Sequence, residues 1–73
     1  MNRYIATFYS HFDALVFFGR IKETTDAGLM PVPRKVSASC GTCCMYKSSA
    51  PIDFPDSETE AVYVETDGGW RIV

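Results

Sequence analysis

The chain has three cysteines, which lie within five residues of one another: Cys40, Cys43 and Cys44. A thiol attacks or carries a sulfur atom only as the thiolate, and the thiol pKa falls when cations or backbone N–H groups lie close. Arg34 and Lys35 stand just upstream and can supply the charge. Ser39 adds a hydroxyl donor, and Gly41 lets the backbone take conformations closed to other residues. We therefore predict that Cys40 is a reactive thiolate.

Cys40 and Cys43 also form a CxxC pair, a spacing that suits either a dithiol/disulfide couple or half of a zinc site. Zinc needs four ligands, and the only histidine, His11, lies far away in sequence. A metal site within one chain would therefore need Cys40, Cys43 and Cys44 together with His11, and the alternative is a site completed by a second subunit. Adjacent residues on a strand point to opposite faces, which argues against using both Cys43 and Cys44. The simpler alternative is that Cys43 and above all Cys44 pack as small apolar side chains.

Two roles are open to His11, which follows a serine that can cap a helix. It is a surface residue at the helix start, or it is a general base for Cys40 if the end of the first strand neighbours the cysteines. The sequence favours the surface role.

Length and composition predict a single domain, residues 1–73, whose thin core buries about 60% of the surface that the unfolded chain exposes. The chain is 47% hydrophobic and 22% charged, which excludes wholesale disorder. Residues 1–47 hold six Lys/Arg and three Asp/Glu, whereas residues 48–73 hold one Lys/Arg and six Asp/Glu. With a net charge of −2 and no long basic run, general nucleic-acid binding is excluded.

The first residues lack the layout of a signal peptide, and the apolar stretch from Tyr4 to Phe18 is interrupted by polar residues and too short to span a bilayer. We therefore expect a cytoplasmic protein with no membrane partner. Thiols are kept reduced in that compartment, so clustered cysteines indicate metal or redox chemistry more often than structural disulfides.

The first half of the chain predicts a strand followed by a helix. Tyr4 to Tyr9 is rich in aromatic and β-branched residues, which suits a strand. Ser10 and Asp13 resemble a capping box, and a helix from there to near Thr24 would bury one apolar stripe. The stripe consists of residues at helical spacing: Ala14, Phe17, Phe18 and Ile21.

The middle of the chain predicts short extended segments. Leu29 to Pro33 can form a strand only at a sheet edge or a strand end, because its prolines fix the backbone and lack N–H donors. Thr42 to Lys47 suits either a strand or the first turn of a helix. Ser48 to Pro55, which contains two prolines and two serines, predicts a loop.

The last part of the chain is ambiguous over residues 56–65. A short helix capped at Asp56 or Ser57 is one interpretation, and a strand over the Ala-Val-Tyr-Val run is the other. Residues 67–69, Asp-Gly-Gly, are typical of a turn, and residues 70–73 then predict a terminal strand.

This order of elements predicts an α+β fold, a small two-layer sandwich of ferredoxin-like type (βαββαβ) with a shortened second helix. The alternative is a βαββ arrangement that ends in a hairpin across residues 67–69. In both, the cysteines follow the second strand.

A family resemblance rests on four segments, residues 4–8, 11–15, 29–34 and 37–41. The most specific pattern is Pro-Arg, a spacer and Ser-x-Ser-Cys-Gly, which is matched by Pro33, Arg34, Ser37, Ser39, Cys40 and Gly41. In these segments, and over nearly its whole length, the chain resembles the selenium/sulfur (Se/S) carrier protein-like family of small bacterial proteins. The resemblance implies that Cys40 is the carrier cysteine. It also favours a strand over Thr42 to Lys47 and a helix before the last strand.

Together, the resemblance and the predicted thiolate indicate a sulfur or selenium carrier that uses no cofactor. Cys40 would hold the chalcogen as a persulfide or perselenide. Cys43, which resembles a second cysteine found in part of the family, would be the resolving thiol that releases the cargo by exchange. The residues predicted to surround the cargo are Arg34, Lys35, Ser39 and Gly41.

Such a carrier exchanges its cargo with donor and acceptor proteins and is not a turnover enzyme with its own pocket. Two other classes stay open. The first is a metal-binding or redox-sensing module that uses Cys40 and Cys43. The second is a non-catalytic domain with inert cysteines that forms a homodimer through a sheet edge.

Overall fold

A computed structural model of the chain describes residues 1–54 and 58–73. These residues form one α-helix packed on a five-stranded antiparallel sheet with the strand order β2-β3-β1-β4-β5. The elements are β1 (Asn2–Phe8), α1 (His11–Ile21), β2 (Ala27–Pro31), β3 (Thr42–Ser48), β4 (Thr59–Thr66) and β5 (Gly69–Ile72).

The central strand is β1, whose aromatic and β-branched sequence suits a strand buried on both faces. Five consecutive residues, from Tyr4 to Phe8, are buried. Antiparallel neighbours flank it, and Thr7 pairs with Cys43 in β3 and with Ala61 in β4. The C-terminal end of β1 therefore lies beside the N-terminal ends of β3 and β4.

Helix α1 begins after Ser10, which is its N-cap and contacts Asp13 as the sequence pattern suggested. The Asp13 N–H donates to Ser10 Oγ at 3.2 Å, and the Ser10 hydroxyl donates to the Asp13 carboxylate at 2.8 Å. The helix ends at Ile21, earlier than the predicted end near Thr24. The N–H groups of Thr24 and Thr25 both donate to the Ile21 carbonyl, at 3.1 and 2.9 Å, so these poor helix formers close the helix as a turn.

The sheet has two differently covered faces. On the helix face, α1 covers a buried cluster of Tyr4, Ala6, Phe8, Ala14, Phe17, Ile21, Cys44, Tyr46 and Val64. On the opposite face, here called the loop face, a loop between β2 and β3 covers a smaller buried cluster of Ile5, Val36 and Cys43. Partly buried side chains surround that cluster: Met30, Val32, Met45, Tyr63 and Trp70.

The C-terminal part of the chain shows where the fold prediction is right and where it is not. The α+β class is confirmed, but the ferredoxin-like order is not: the described residues hold one helix and five strands. Residues 59–66 form a strand that continues into β5 through a hairpin, in which Gly68 has φ 85°. This ending matches the hairpin alternative. The predicted helix caps, Asp56 and Ser57, lie outside the described residues.

Candidate functional site

Cys40 lies in a loop, residues 32–41, that we call the cysteine loop. Its two ends are joined where the Val32 N–H donates to the Gly41 carbonyl at 3.0 Å. A turn from Pro33 to Val36, closed by a 3.0 Å backbone hydrogen bond, directs Val36 onto the loop face beside Ile5. Val36 thus attaches the cysteine loop to the sheet. Compact surface loops whose ends lie close together, and which are packed by their own side chains, are often functional.

The cysteine loop is also anchored by polar contacts at both ends of β4. Ser39 contacts Glu60 near the start of β4: its N–H donates to Oε1 at 3.0 Å and its hydroxyl to Oε2 at 2.6 Å. The Lys35 ammonium donates to the Gly68 carbonyl, at 3.0 Å, in the turn that follows β4. Six residues of strand separate Glu60 from the end of β4, which is about 20 Å. The structure therefore places Lys35 away from the segment that precedes Cys40.

Cys40 is half-buried, and the Thr42 N–H donates to its Sγ at 3.5 Å. The Thr42 side chain in turn lies beside the first residue of α1, with 3.1 Å between Thr42 Oγ1 and His11 Nδ1. The end of β1 lies beside the cysteines, since Thr7 pairs with Cys43. A role of His11 as general base for Cys40 requires this arrangement. Arg34 and Gly41 are exposed in the same loop.

The Glu60 carboxylate contacts the cysteine loop, and the sequence prediction did not include this residue among the candidates. Hydrogen bonds from the Ser39 hydroxyl and then from the Ser39 N–H lower the pKa of the Glu60 carboxyl. The carboxylate is thus kept as the charged acceptor that this contact needs. No spacing rule in the sequence connects Glu60 to Ser39, because the two residues are 21 positions apart.

Cys43 and Cys44 are fully buried on opposite faces of β3, as alternation along a strand requires. Burial raises the pKa of Cys43 to about 11 and that of Cys44 to about 12. The Cys43 thiol donates to the Pro31 carbonyl at 3.9 Å. Cys43 therefore has neither the exposure nor the charge of a resolving thiol in this structure.

The same geometry argues against the metal site built on Cys40, Cys43 and Cys44, because two of the three thiols point away from each other. Across residues 1–54 and 58–73, no group of three or more His, Cys, Asp or Glu side chains lies close enough to hold a metal ion. In the described part of the chain, no helix has both the length and the apolar character to cross a membrane.

Comparison with known protein families identifies a match that covers the candidate site. A family model described as "Putative Se/S carrier protein-like" matches residues 3–64, a range that includes the whole cysteine loop and Glu60. No curated protein and no solved structure matches the chain.

Proposed function

Because the chain belongs to the Se/S carrier protein-like family, we propose that it carries sulfur or selenium as a persulfide or perselenide on Cys40. One observation supports this choice above the others. Of the three cysteines, Cys40 alone is partly exposed, whereas Cys43 and Cys44 are buried. A thiol that exchanges cargo with another protein must be reachable by that protein, and Cys40 meets this requirement.

The transfer that we propose is an exchange without net oxidation. The sulfur of Cys40 attacks the outer sulfur of a persulfide on a donor protein's cysteine, and the donor's S–S bond breaks. The donor cysteine leaves as a thiolate with the bonding electron pair and takes up the proton that Cys40 loses. Release repeats these steps with an acceptor thiol, which removes the outer sulfur and returns Cys40 to the thiol. A perselenide follows the same balance, with selenium as the outer atom.

The surroundings of Cys40 suit a small anionic cargo. The Thr42 N–H donates to Cys40 Sγ, so a backbone donor lies beside the atom that would carry the cargo. At Gly41, apart from its two chain neighbours, no residue has a heavy atom within 4 Å of the position that a Cβ would occupy, so space is open beside this part of the loop. Arg34 is exposed and is our candidate for contact with the charged adduct. Lys35 is not a candidate for this role, because its ammonium donates to the Gly68 carbonyl.

The proposal has consequences for location and partners. Cys40 must be reduced to accept cargo, so we place the protein in the cytoplasm, where thiols are kept reduced. The partners are a donor protein that forms a persulfide on a cysteine and an acceptor protein that offers a thiol. We treat residues 1–73 as one carrier domain.

Loading by a cysteine desulfurase tests the proposal. The reduced protein is incubated with the enzyme and free cysteine, and the intact mass is measured. We expect one added sulfur atom in the wild type and in Cys44→Ser, and none in Cys40→Ser. An adduct that persists in Cys40→Ser would contradict the proposal, and so would a wild-type protein that never gains sulfur.

A further inference from the structure

The pairing of β1 with β4 contains one irregularity, and it falls at Glu60. Thr7 pairs with Ala61, and the next residue of β1, Phe8, pairs with Thr59. Glu60 is thus an extra residue of β4 with no partner in β1, which defines a β-bulge. A bulge bends its strand and redirects a side chain, and bulges are frequent beside active sites.

The redirected side chain contacts the cysteine loop directly before Cys40. Each carboxylate oxygen of Glu60 accepts one hydrogen bond from Ser39, at 3.0 Å from the N–H and at 2.6 Å from the hydroxyl. Two hydrogen bonds between one carboxylate and one residue fix orientation as well as distance, and a charged acceptor makes them stronger than neutral ones. Cys40 is the next residue along the chain.

A second glutamate of the same strand shows what an ordinary surface acid does here. Glu65 is regularly paired in the β4–β5 ladder, and its carboxylate lies 3.7 Å from the Arg3 guanidinium. Both side chains of that ion pair are more than 40% exposed, so water screens it. The Glu60 contact is also exposed to water, but Glu60 differs in lying at a bulge and in accepting two hydrogen bonds, one of them from a loop backbone N–H.

We propose that Glu60 is the positioning residue of the carrier site: the β4 bulge directs its carboxylate to Ser39, and this contact fixes the orientation in which Cys40 meets a partner protein. The role of this contact in sulfur loading rests on the proposed function. Glu60 acts through Ser39 and does not touch the cargo.

The test compares variants on both sides of the contact with a matched control. Glu60→Ala and Ser39→Ala remove it from opposite sides, and Glu65→Ala removes a carboxylate elsewhere on β4. Glu60→Gln is the conservative variant, because an amide still offers an oxygen to the Ser39 N–H and an NH₂ group to the hydroxyl. The measurements are sulfur loading by a cysteine desulfurase, amide hydrogen exchange over residues 37–41, and thermal unfolding.

We expect Glu60→Ala and Ser39→Ala to load sulfur about ten- to a hundredfold more slowly than the wild type, since a displaced reacting group loses rate on this scale. Glu60→Gln should recover part of the rate. The double alanine variant should be no slower than either single variant, because each of the three removes the same contact. Exchange should become faster over residues 37–41 while that of α1 stays unchanged.

The inference is overturned if Glu60→Ala exchanges and loads like Glu65→Ala. It is also overturned if loading falls only in proportion to a loss of folded protein. Failure of the proposed function has a different result: the wild type then gains no sulfur at all. Exchange over residues 37–41 still decides, in that case, whether Glu60 holds the loop.

Discussion

The two faces of the sheet are held by different kinds of interaction. On the helix face, aromatic rings pack on one another: the Phe17 ring centroid lies 5.3 Å from that of Phe8, 5.6 Å from Phe54 and 6.0 Å from Tyr46. On the loop face, one buried valine, Val36, and a few polar anchors hold the cysteine loop. Apolar packing provides most of a small domain's stability, whereas discrete hydrogen bonds fix orientation. The helix face therefore maintains the fold, and the loop face presents Cys40.

The largest effect should come from the centre of the helix face. Phe17→Ala removes a ring that is 2% exposed, and such truncations cost about 3–5 kcal/mol. A domain below about 70–80 residues rarely has more stability than this, so the variant should be largely unfolded at room temperature. Circular dichroism and denaturant titration measure it. The control is Phe12→Ala, whose ring is 70% exposed and whose loss should change stability by no more than about 0.5 kcal/mol. Equal effects of the two variants would contradict the comparison.

Alkaline pH should affect both faces through their buried cysteines. Folding raises the pKa of Cys43 to about 11 and of Cys44 to about 12, from the ordinary thiol value of about 8.5. The folded state then holds its protons more tightly than the unfolded state. This contribution to stability is fully present below about pH 8.5 and is lost as pH rises through the folded values.

Denaturant titrations between pH 8 and pH 11 measure this loss. We expect the decrease in unfolding free energy to be smaller in Cys43→Ala and in Cys44→Ala than in the wild type, with the flatter profile in Cys44→Ala. Three parallel profiles would show that neither thiol is linked to folding.

A change confined to the loop face should open that face alone. Val36→Ala removes two methyl groups from a side chain that is 7% exposed, which costs about 1–2 kcal/mol. Val36 belongs to the same buried cluster as Cys43, so its truncation should speed the labelling of Cys43 by a small thiol reagent. Cys44 lies on the helix face and should label at the wild-type rate. Equal acceleration at both cysteines would mean that the whole domain opens and that the faces are not independent.

The smallest effect should come from Lys35, at the far anchor of the cysteine loop. Lys35→Ala removes an exposed hydrogen bond to Gly68, and surface changes of this kind stay within about 0.5 kcal/mol. Sulfur loading of Cys40 should match the wild type, because the ammonium lies at the other end of β4 from Ser39. A tenfold loss of loading would show that the Lys35 ammonium does contribute to the cargo site. Arg34→Ala is the companion variant, and a loss of loading is expected there.

The elements with strong local patterns were predictable from the sequence. β1 follows from its aromatic and β-branched run, and α1 from the Ser10 cap and the apolar spacing after it. The Asp-Gly-Gly run predicted the final turn, and Gly68 has the positive φ that the turn requires. Residues 59–66 stayed ambiguous because their composition suits a strand while the acids before them suit a helix start. Pairing with β1 on one side and β5 on the other decides for the strand.

The arrangement of the site was only partly predictable. The sequence singled out Cys40 from the other two cysteines and indicated that Cys43 and Cys44 face opposite ways if they lie on a strand. It did not indicate where the long side chains reach. Lys35 and Gly68 are 33 positions apart, and the Glu60 contact depends on a register shift in β4. Neither the reach of a lysine nor a one-residue bulge leaves a local pattern in the chain.

Locating the added sulfur atom on the chain tests the central claim most directly. Wild-type protein is loaded by a cysteine desulfurase, its thiols and persulfides are capped by alkylation, and peptides that contain residues 40–44 are sequenced by tandem mass spectrometry. We expect the extra sulfur to lie on Cys40, with Cys43 and Cys44 unmodified until the protein is denatured. Extra sulfur on Cys43 or Cys44 in the folded protein, with Cys40 free, would contradict it.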